Sequence, residues 1–180
     1  MNINMTTPWR SFVSRNRVAA ALVAGFVGTH MATVSGYWYP MIGFVNGQGF
    51  VALDWPAFNG LLIRPQGTAW EQFIAGAVYH MFTGMCFSLI YAFLIHPLLP
   101  WKNTTLGNLG KALVWGMFLA LLSALWWVPA LFPQFNPGFL SLNLGWKTTV
   151  GIFLWHAVYG IHLGAFYNPL PDDQPAMKSG

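Results

Sequence analysis

Very little in this sequence carries charge, and negative charge is the scarcest. The acids number four (Asp54, Glu71, Asp172 and Asp173), and charged residues together make up 7% of the 180, where a soluble domain carries about a quarter. Water is therefore not the main solvent of the fold. None of the acids falls inside a long apolar run, so no Ser-His-Asp set is credible and no catalytic residue is assigned. A cation- or proton-coupled pump is equally unsupported without a carboxylate at mid-membrane depth. The single cysteine, Cys86, excludes an intrachain disulfide framework and a thiolate metal site. Residues Gly107 to Gly110 lack the Gly-Lys-Ser/Thr ending of a phosphate loop. The bases outnumber the acids, for a net charge of +4, but they sit at the edges of apolar runs and form no patch, which argues against nucleic acid as a partner.

What the sequence has in quantity is apolar surface: 56% of its residues are hydrophobic and 17% aromatic, with ten tryptophans. Residues 18–39, 73–95, 109–131 and 148–166 form apolar stretches, each of roughly the 20 residues needed to cross a hydrocarbon core about 30 Å thick. Lys111 is the one charged residue inside them, near an end, where it is expected to snorkel. The Pro- and Gly-rich linkers around 97–100 and 133–138 read as turns, and residues 46–72 as an outer loop. The prediction is an all-α integral membrane four-helix bundle, a single domain over residues 1–180. Arg10, Arg15 and Arg17 precede the first span, and Lys102 and Lys111 lie between the second and third. That bias puts both termini on the cytoplasmic side of a bacterial inner membrane or its invaginations. The first span reads as an uncleaved anchor, because its apolar run is too long for a signal core and no convincing cleavage site follows.

The chain also resembles itself. Tyr37-Trp38-Tyr39-Pro40 and Gly49-Phe50-Val51-Ala52-Leu53 are matched at equal spacing by Trp126-Trp127-Val128-Pro129 and Gly138-Phe139-Leu140-Ser141-Leu142. The second and fourth spans share an aromatic-His-x3-Gly-x6-Tyr pattern, at Tyr79-His80, Gly84 and Tyr91 and at Trp155-His156, Gly160 and Tyr167. Two ordered matches predict a tandem duplication of a two-helix unit.

Three histidines fall inside the spans. With a rise of 1.5 Å per residue, His30 lies about 20 Å above the inner end of the first span, and His80 and His156 about 12 Å below the outer ends of theirs. Imidazole in hydrocarbon requires a partner. His80, His156 and His30 are therefore candidate cofactor-binding residues, with haem b or a chlorophyll-type pigment as candidate cofactors. The competing structural reading is that Gly84 and Gly160, one turn from a histidine, let helices approach while Thr29, Thr33, Ser35, Thr83 or Ser88 hydrogen-bonds across the interface. A substrate or proton path is a further alternative. His96, beside Pro97, reads as an interfacial residue.

In its Gly-rich first helix, its Val78-Tyr79-His80 helix and its final His-x-x-x-Gly-x-x-x-Gly segment from His156 to Gly164, the chain resembles small bacterial four-span membrane proteins of uncharacterised function. That resemblance implies a fold and no reaction. The expected role is an accessory transmembrane subunit of a larger bioenergetic complex: respiratory (electron transport), photosynthetic or a membrane monooxygenase. Its partners would be other transmembrane subunits and membrane lipids. Trp9 and Arg10 would grip headgroups or a subunit on the inside, and Trp55, Phe58, Arg64 and Trp70 a partner on the outside. The alternative is a haem- or pigment-binding membrane redox protein using the intramembrane histidines.

Overall fold

A computed structural model describes the backbone of residues 6–36 and 55–171, and the side chains of residues 8–36 and 59–171. The side chains of Trp55 and Phe58, the cluster Tyr37-Trp38-Tyr39, and Asp54, Asp172 and Asp173 lie outside the described residues. Those described form no strand, two short 3-10 segments (Pro133–Phe135 and Phe139–Leu144) and six longer helical segments: α1 (Thr6–Arg15), α2 (Arg17–Gly36), α3 (Trp55–Ile63), α4 (Ala69–Leu98), α5 (Thr105–Leu131) and α6 (Trp146–Phe166). Helices α2, α4, α5 and α6 are long and apolar enough to cross a membrane, the mark of a multi-pass membrane protein. Each of the last three spans begins two to four residues earlier than expected, and the second ends three later. The second span begins at Ala69, because Thr68 and Glu71 form a reciprocal capping box. The expected outer loop also contains α3, which packs on α4 so closely that a Cβ on Gly60 would strike the backbone of Gln72.

Small residues decide how the spans meet. The buried positions of α2 are Ala20, Ala21, Ala24, Gly25, Gly28, Thr29, Ala32, Thr33 and Gly36, a stripe that lets neighbouring backbones approach. A Cβ on Gly25 would lie 2.9 Å from the Gly84 carbonyl oxygen of α4, and one on Gly28 3.1 Å from the Tyr159 backbone of α6. On the other side of α6, a Cβ on Gly160 would lie 2.7 Å from the Ala112 carbonyl oxygen of α5, and one on Gly164 2.8 Å from Leu109 Cα. Helices α2 and α6 thus form a central pair, flanked by α4 on α2 and by α5 on α6. Helix α4 meets α5 through its last turns, Tyr91 to Leu98.

Two spans contain a prolyl residue, and both answer it in the same way. Proline removes an N–H and crowds the preceding turn; α4 widens into a π turn over Tyr91–Ile95 before Pro97, and α5 over Ser123–Trp127 before Pro129. In π spacing the missing N–H groups would have served the carbonyls of Ala92 and Ala124, which hydrocarbon cannot satisfy. Side chains from elsewhere do so. Arg17 Nη2 (2.6 Å) and Tyr167 Oη (3.3 Å) donate to the Ala92 oxygen, and Ser141 Oγ donates to that of Ala124 at 3.1 Å. The last contact helps hold a tight turn in which Leu140 (φ 51°) and Ser141 (φ 58°) adopt left-handed backbone, a costly conformation for leucine.

The α1 end of the bundle is closed by a polar lattice. Arg10 donates to the carbonyls of Asn103 (2.6 Å), Pro169 (2.7 Å) and Asn168 (3.4 Å), and Trp9 Nε1 to that of Phe166 at 2.9 Å. Partial burial draws the Arg10 pKa below the usual guanidinium value, with the charge kept at any physiological pH. Fully buried Asn108 bonds His96 Nε2 (3.0 Å), the Asn168 side chain (2.8 Å) and the Pro169 carbonyl (3.2 Å). Two expectations are corrected here. His96 is buried by this lattice and is not interfacial, and Lys111 does not reach for water but is buried with Nζ on Asn103 Oδ1 at 2.9 Å.

Candidate functional site

Helices α4 and α5 diverge beyond Tyr91, and the gap in front of the α2–α6 pair is a cavity of about 90 Å³. Phe87 stands at its entrance, edge-on to Trp115 (6.4 Å) and Trp127 (6.2 Å) of α5. Two of the three candidate histidines line this cavity: His80 from α4 and His156 from α6. The sequence pattern that paired them therefore corresponds to a shared location.

His156 is fastened at both ring nitrogens. Nδ1 lies 2.7 Å from the Ile152 carbonyl oxygen, an acceptor, so that nitrogen carries the proton. Nε2 is then the acceptor, and Ser123 Oγ, in the π turn of α5, donates to it at 3.2 Å. The tautomer follows from the partners. His80 differs. The Asn59 amide of α3 approaches its Nδ1 at 3.4 Å, which as an N–H donor leaves the proton on Nε2. That Nε2 is buried and has no hydrogen-bond partner. The ring packs against Trp155 at 5.3 Å between centroids.

Across the cavity floor, Tyr159 Oη donates to the Gly84 carbonyl at 2.9 Å, tying α6 to α4. Of the hydroxyls proposed from sequence as histidine partners, Ser88 does cross between helices, to the Ala21 carbonyl at 2.7 Å. Thr29, Thr33 and Thr83 instead bond carbonyls one turn back in their own helices. The actual partners of the histidines, Asn59 and Ser123, were missed. Asn59 sits in a segment read as a loop, and the π turn that presents Ser123 is signalled only by Pro129.

His30 does not reach the cavity. It lies on the outward face of α2, exposed and stacked on Phe26 at 6.2 Å. His162 bonds the Val158 carbonyl of its own helix at 2.8 Å. Among the candidate partner-binding residues, Trp9 and Arg10 are engaged within the chain as described above. Arg64 forms an exposed ion pair with Glu71 at 3.3 Å, and Trp70 is exposed beside Phe73.

The residues present do not fit a tetrapyrrole as arranged. A cavity of about 90 Å³ is smaller than the roughly 150 Å³ that accommodates benzene, and His156 has no free nitrogen to offer an iron or magnesium. Among the described residues, no group of three or more His, Cys, Asp or Glu comes together as a metal site would require. The cavity combines largely apolar walls with a few convergent polar groups. No protein-family profile matches the chain, and no curated protein or solved structure is similar to it.

Proposed function

We propose that this chain is an accessory transmembrane subunit of a larger bioenergetic membrane complex, held in a bacterial inner membrane with both ends cytoplasmic. The observation that carries the reading is His30. It points away from the bundle about 20 Å along α2 from Arg17, and its contact within the described chain is a stack on Phe26. At that depth hydrocarbon surrounds an unpartnered outward face, and an imidazole there is costly. A helix of a neighbouring subunit offering a hydrogen-bonding group removes that cost. The exposed Trp70 and the Arg64–Glu71 pair at the far end of α4 supply further surface for the same partner. Positive charge at the α1 end, from Arg10, Arg15, Arg17 and Lys102, supports the cytoplasmic assignment.

A photo-crosslinking residue placed at His30, followed by purification in mild detergent, tests the role. The expected product is a defined adduct with a second membrane protein. A chain that purifies alone, stable and monomeric, with lipid adducts only, overturns it. Labelling that finds Arg10 and Lys102 on opposite faces of the membrane overturns the orientation.

The same reading includes origin by tandem duplication. Aligning Pro40 with Pro129 leaves the upstream small residues out of step by one position; allowing one extra residue in α5 pairs Ala24 with Ala112, Gly28 with Gly116 and Ala32 with Ala120. A single π turn, such as Ser123–Trp127, accommodates one extra residue.

A second reading, a haem- or pigment-binding redox protein, draws support from His80 and His156 sharing one cavity. It requires α4 and α5 to part. A Soret or pigment band lost in both His80→Ala and His156→Ala would favour it, and a colourless, fully folded preparation would end it.

A further inference from the structure

The cavity between α4 and α5 holds one polar group that its surroundings leave unused. Thr83 Oγ1 donates to the Tyr79 carbonyl at 2.8 Å, Tyr159 Oη to that of Gly84 at 2.9 Å and Ser123 Oγ to His156 at 3.2 Å. His80 Nε2 is the exception: it carries the proton, has no acceptor and is closed off by its neighbours, so the ring must turn to present the N–H to the cavity that the residue lines. Buried donors are almost always paired, so an orphan beside a cavity marks the place of an absent acceptor. The shape of the cavity says from where that acceptor comes. Thr83, Phe87, Leu122 and Ser123 line it and are partly exposed, and they lie within the membrane-spanning lengths of α4 and α5. The open side therefore faces hydrocarbon. Among the described lining residues there is neither Lys nor Arg, which argues against an anion, since a desolvated charge needs a counter-ion. Water competes for the same position, because the hydroxyl oxygens of Thr83, Ser123 and Tyr159 can still accept, and exchange of the His80 N–H with water tells the two apart.

We propose that the cavity takes the carbonyl head of an uncharged, membrane-soluble ligand that enters sideways from the bilayer between α4 and α5. His80 Nε2–H donates to the carbonyl oxygen, and Phe87 and Trp127 flank the apolar body behind it. The enclosed volume of about 90 Å³ admits the carbonyl and the atoms next to it, while the rest of the ligand lies in the gap between the helices. The site does not depend on the accessory-subunit role, because its residues face inward and His30 faces outward.

The test uses the full chain in detergent micelles and, as probe, a straight-chain methyl ketone of medium length, whose carbonyl end is slim enough for the cavity. Equilibrium retention of the probe is measured together with the nitrogen resonances of ¹⁵N-histidine-labelled protein. The expected result is saturable binding of one probe per chain, with a shift of the His80 Nε2 resonance. His80→Phe weakens binding by about tenfold or more, and His80→Gln, which keeps an N–H donor, recovers most of it. Thr83→Leu fills the cavity from the α4 wall while leaving the His80 N–H donor in place, and also abolishes binding; it keeps the proposal testable if His80→Phe fails to fold. Uptake that rises linearly with probe, binding unchanged in both His80→Phe and Thr83→Leu, or a His80 N–H that exchanges with water and ignores the probe would each overturn the proposal.

Discussion

Replacing Gly160 with alanine adds one methyl group at a close approach of α5 and α6. That Cβ would lie 2.7 Å from the Ala112 carbonyl oxygen and 3.1 Å from Leu113 Cα. Both are backbone atoms, so no side chain can rotate aside and α5 must retreat. Overpacking of this kind costs about 1–3 kcal/mol, while alanine gains roughly 1 kcal/mol over glycine in a helix interior. The net expectation is a loss of about 0–2 kcal/mol, and of about 1–3 kcal/mol relative to a control that gains the helix propensity alone. Gly110→Ala, in the same pair of helices, is the matched control: the nearest atom to its Cβ is Trp101 Cε3 at 4.0 Å. Only the helix-propensity gain applies there, so the variant should be neutral or stabilised by up to about 1 kcal/mol. Reversible unfolding in mixed micelles, followed by tryptophan fluorescence and circular dichroism, measures the difference. Retreat of α5 would also draw Ser123 from His156, so the ¹⁵N signals of His156 should move in Gly160→Ala and stay in Gly110→Ala. Equal stability of the two variants would refute the close-packing argument and the placement of Ser123 that rests on it.

Other expectations are as specific. Ser141→Ala strips the Ala124 carbonyl of its donor and should cost about 1–3 kcal/mol; Tyr167→Phe should cost less, because Arg17 still serves the Ala92 carbonyl, and the same unfolding assay ranks the two. Arg10→Ala releases the carbonyls of Asn103, Asn168 and Pro169. Hydrogen exchange at the Leu170 amide, which now donates to Ser14 Oγ at 2.9 Å, should then quicken by an order of magnitude or more, corresponding to about 1–2 kcal/mol of local stability. Thr68→Ala breaks the capping box of α4 and should fray its first turn at a cost of about 1 kcal/mol. Arg64→Ala, which removes only an exposed ion pair, should leave exchange in that turn close to that of the unaltered chain.

How far the site could be read in advance follows from which interactions are local. The repeated aromatic-His-x3-Gly pattern identified His80 and His156 as a pair, and both line one cavity. It gave no means of separating them from His30, because depth along a helix is a count of residues whereas the face presented depends on what packs where. The small-residue stripe of α2 places His30 outward. Lys111 and His96 were misassigned for a related reason: each lies near a helix end, where sequence suggests water, but α1 and residues 167–171 fold over that end and bury them. Helix α3 was missed because its nine residues, Trp55–Ile63, are too few to span and carry no strong period.

By itself the sequence determined the solvent and the number of spans, since the cost of placing charge or bare backbone in hydrocarbon depends on composition and run length, and both are visible along the chain. It also supplied the prolines, Pro97 and Pro129, but placed Pro97 in a turn that α4 in fact runs through to Leu98. Only the tertiary structure decided which carbonyls those prolines orphan and which distant side chains, Arg17, Tyr167 and Ser141, satisfy them. It alone decided that α4 and α5 part to leave a cavity with His80 Nε2 unpaired. Hydrogen bonds and cavities depend on distances of a few tenths of an ångström between residues remote in sequence, and no pattern along the chain encodes those.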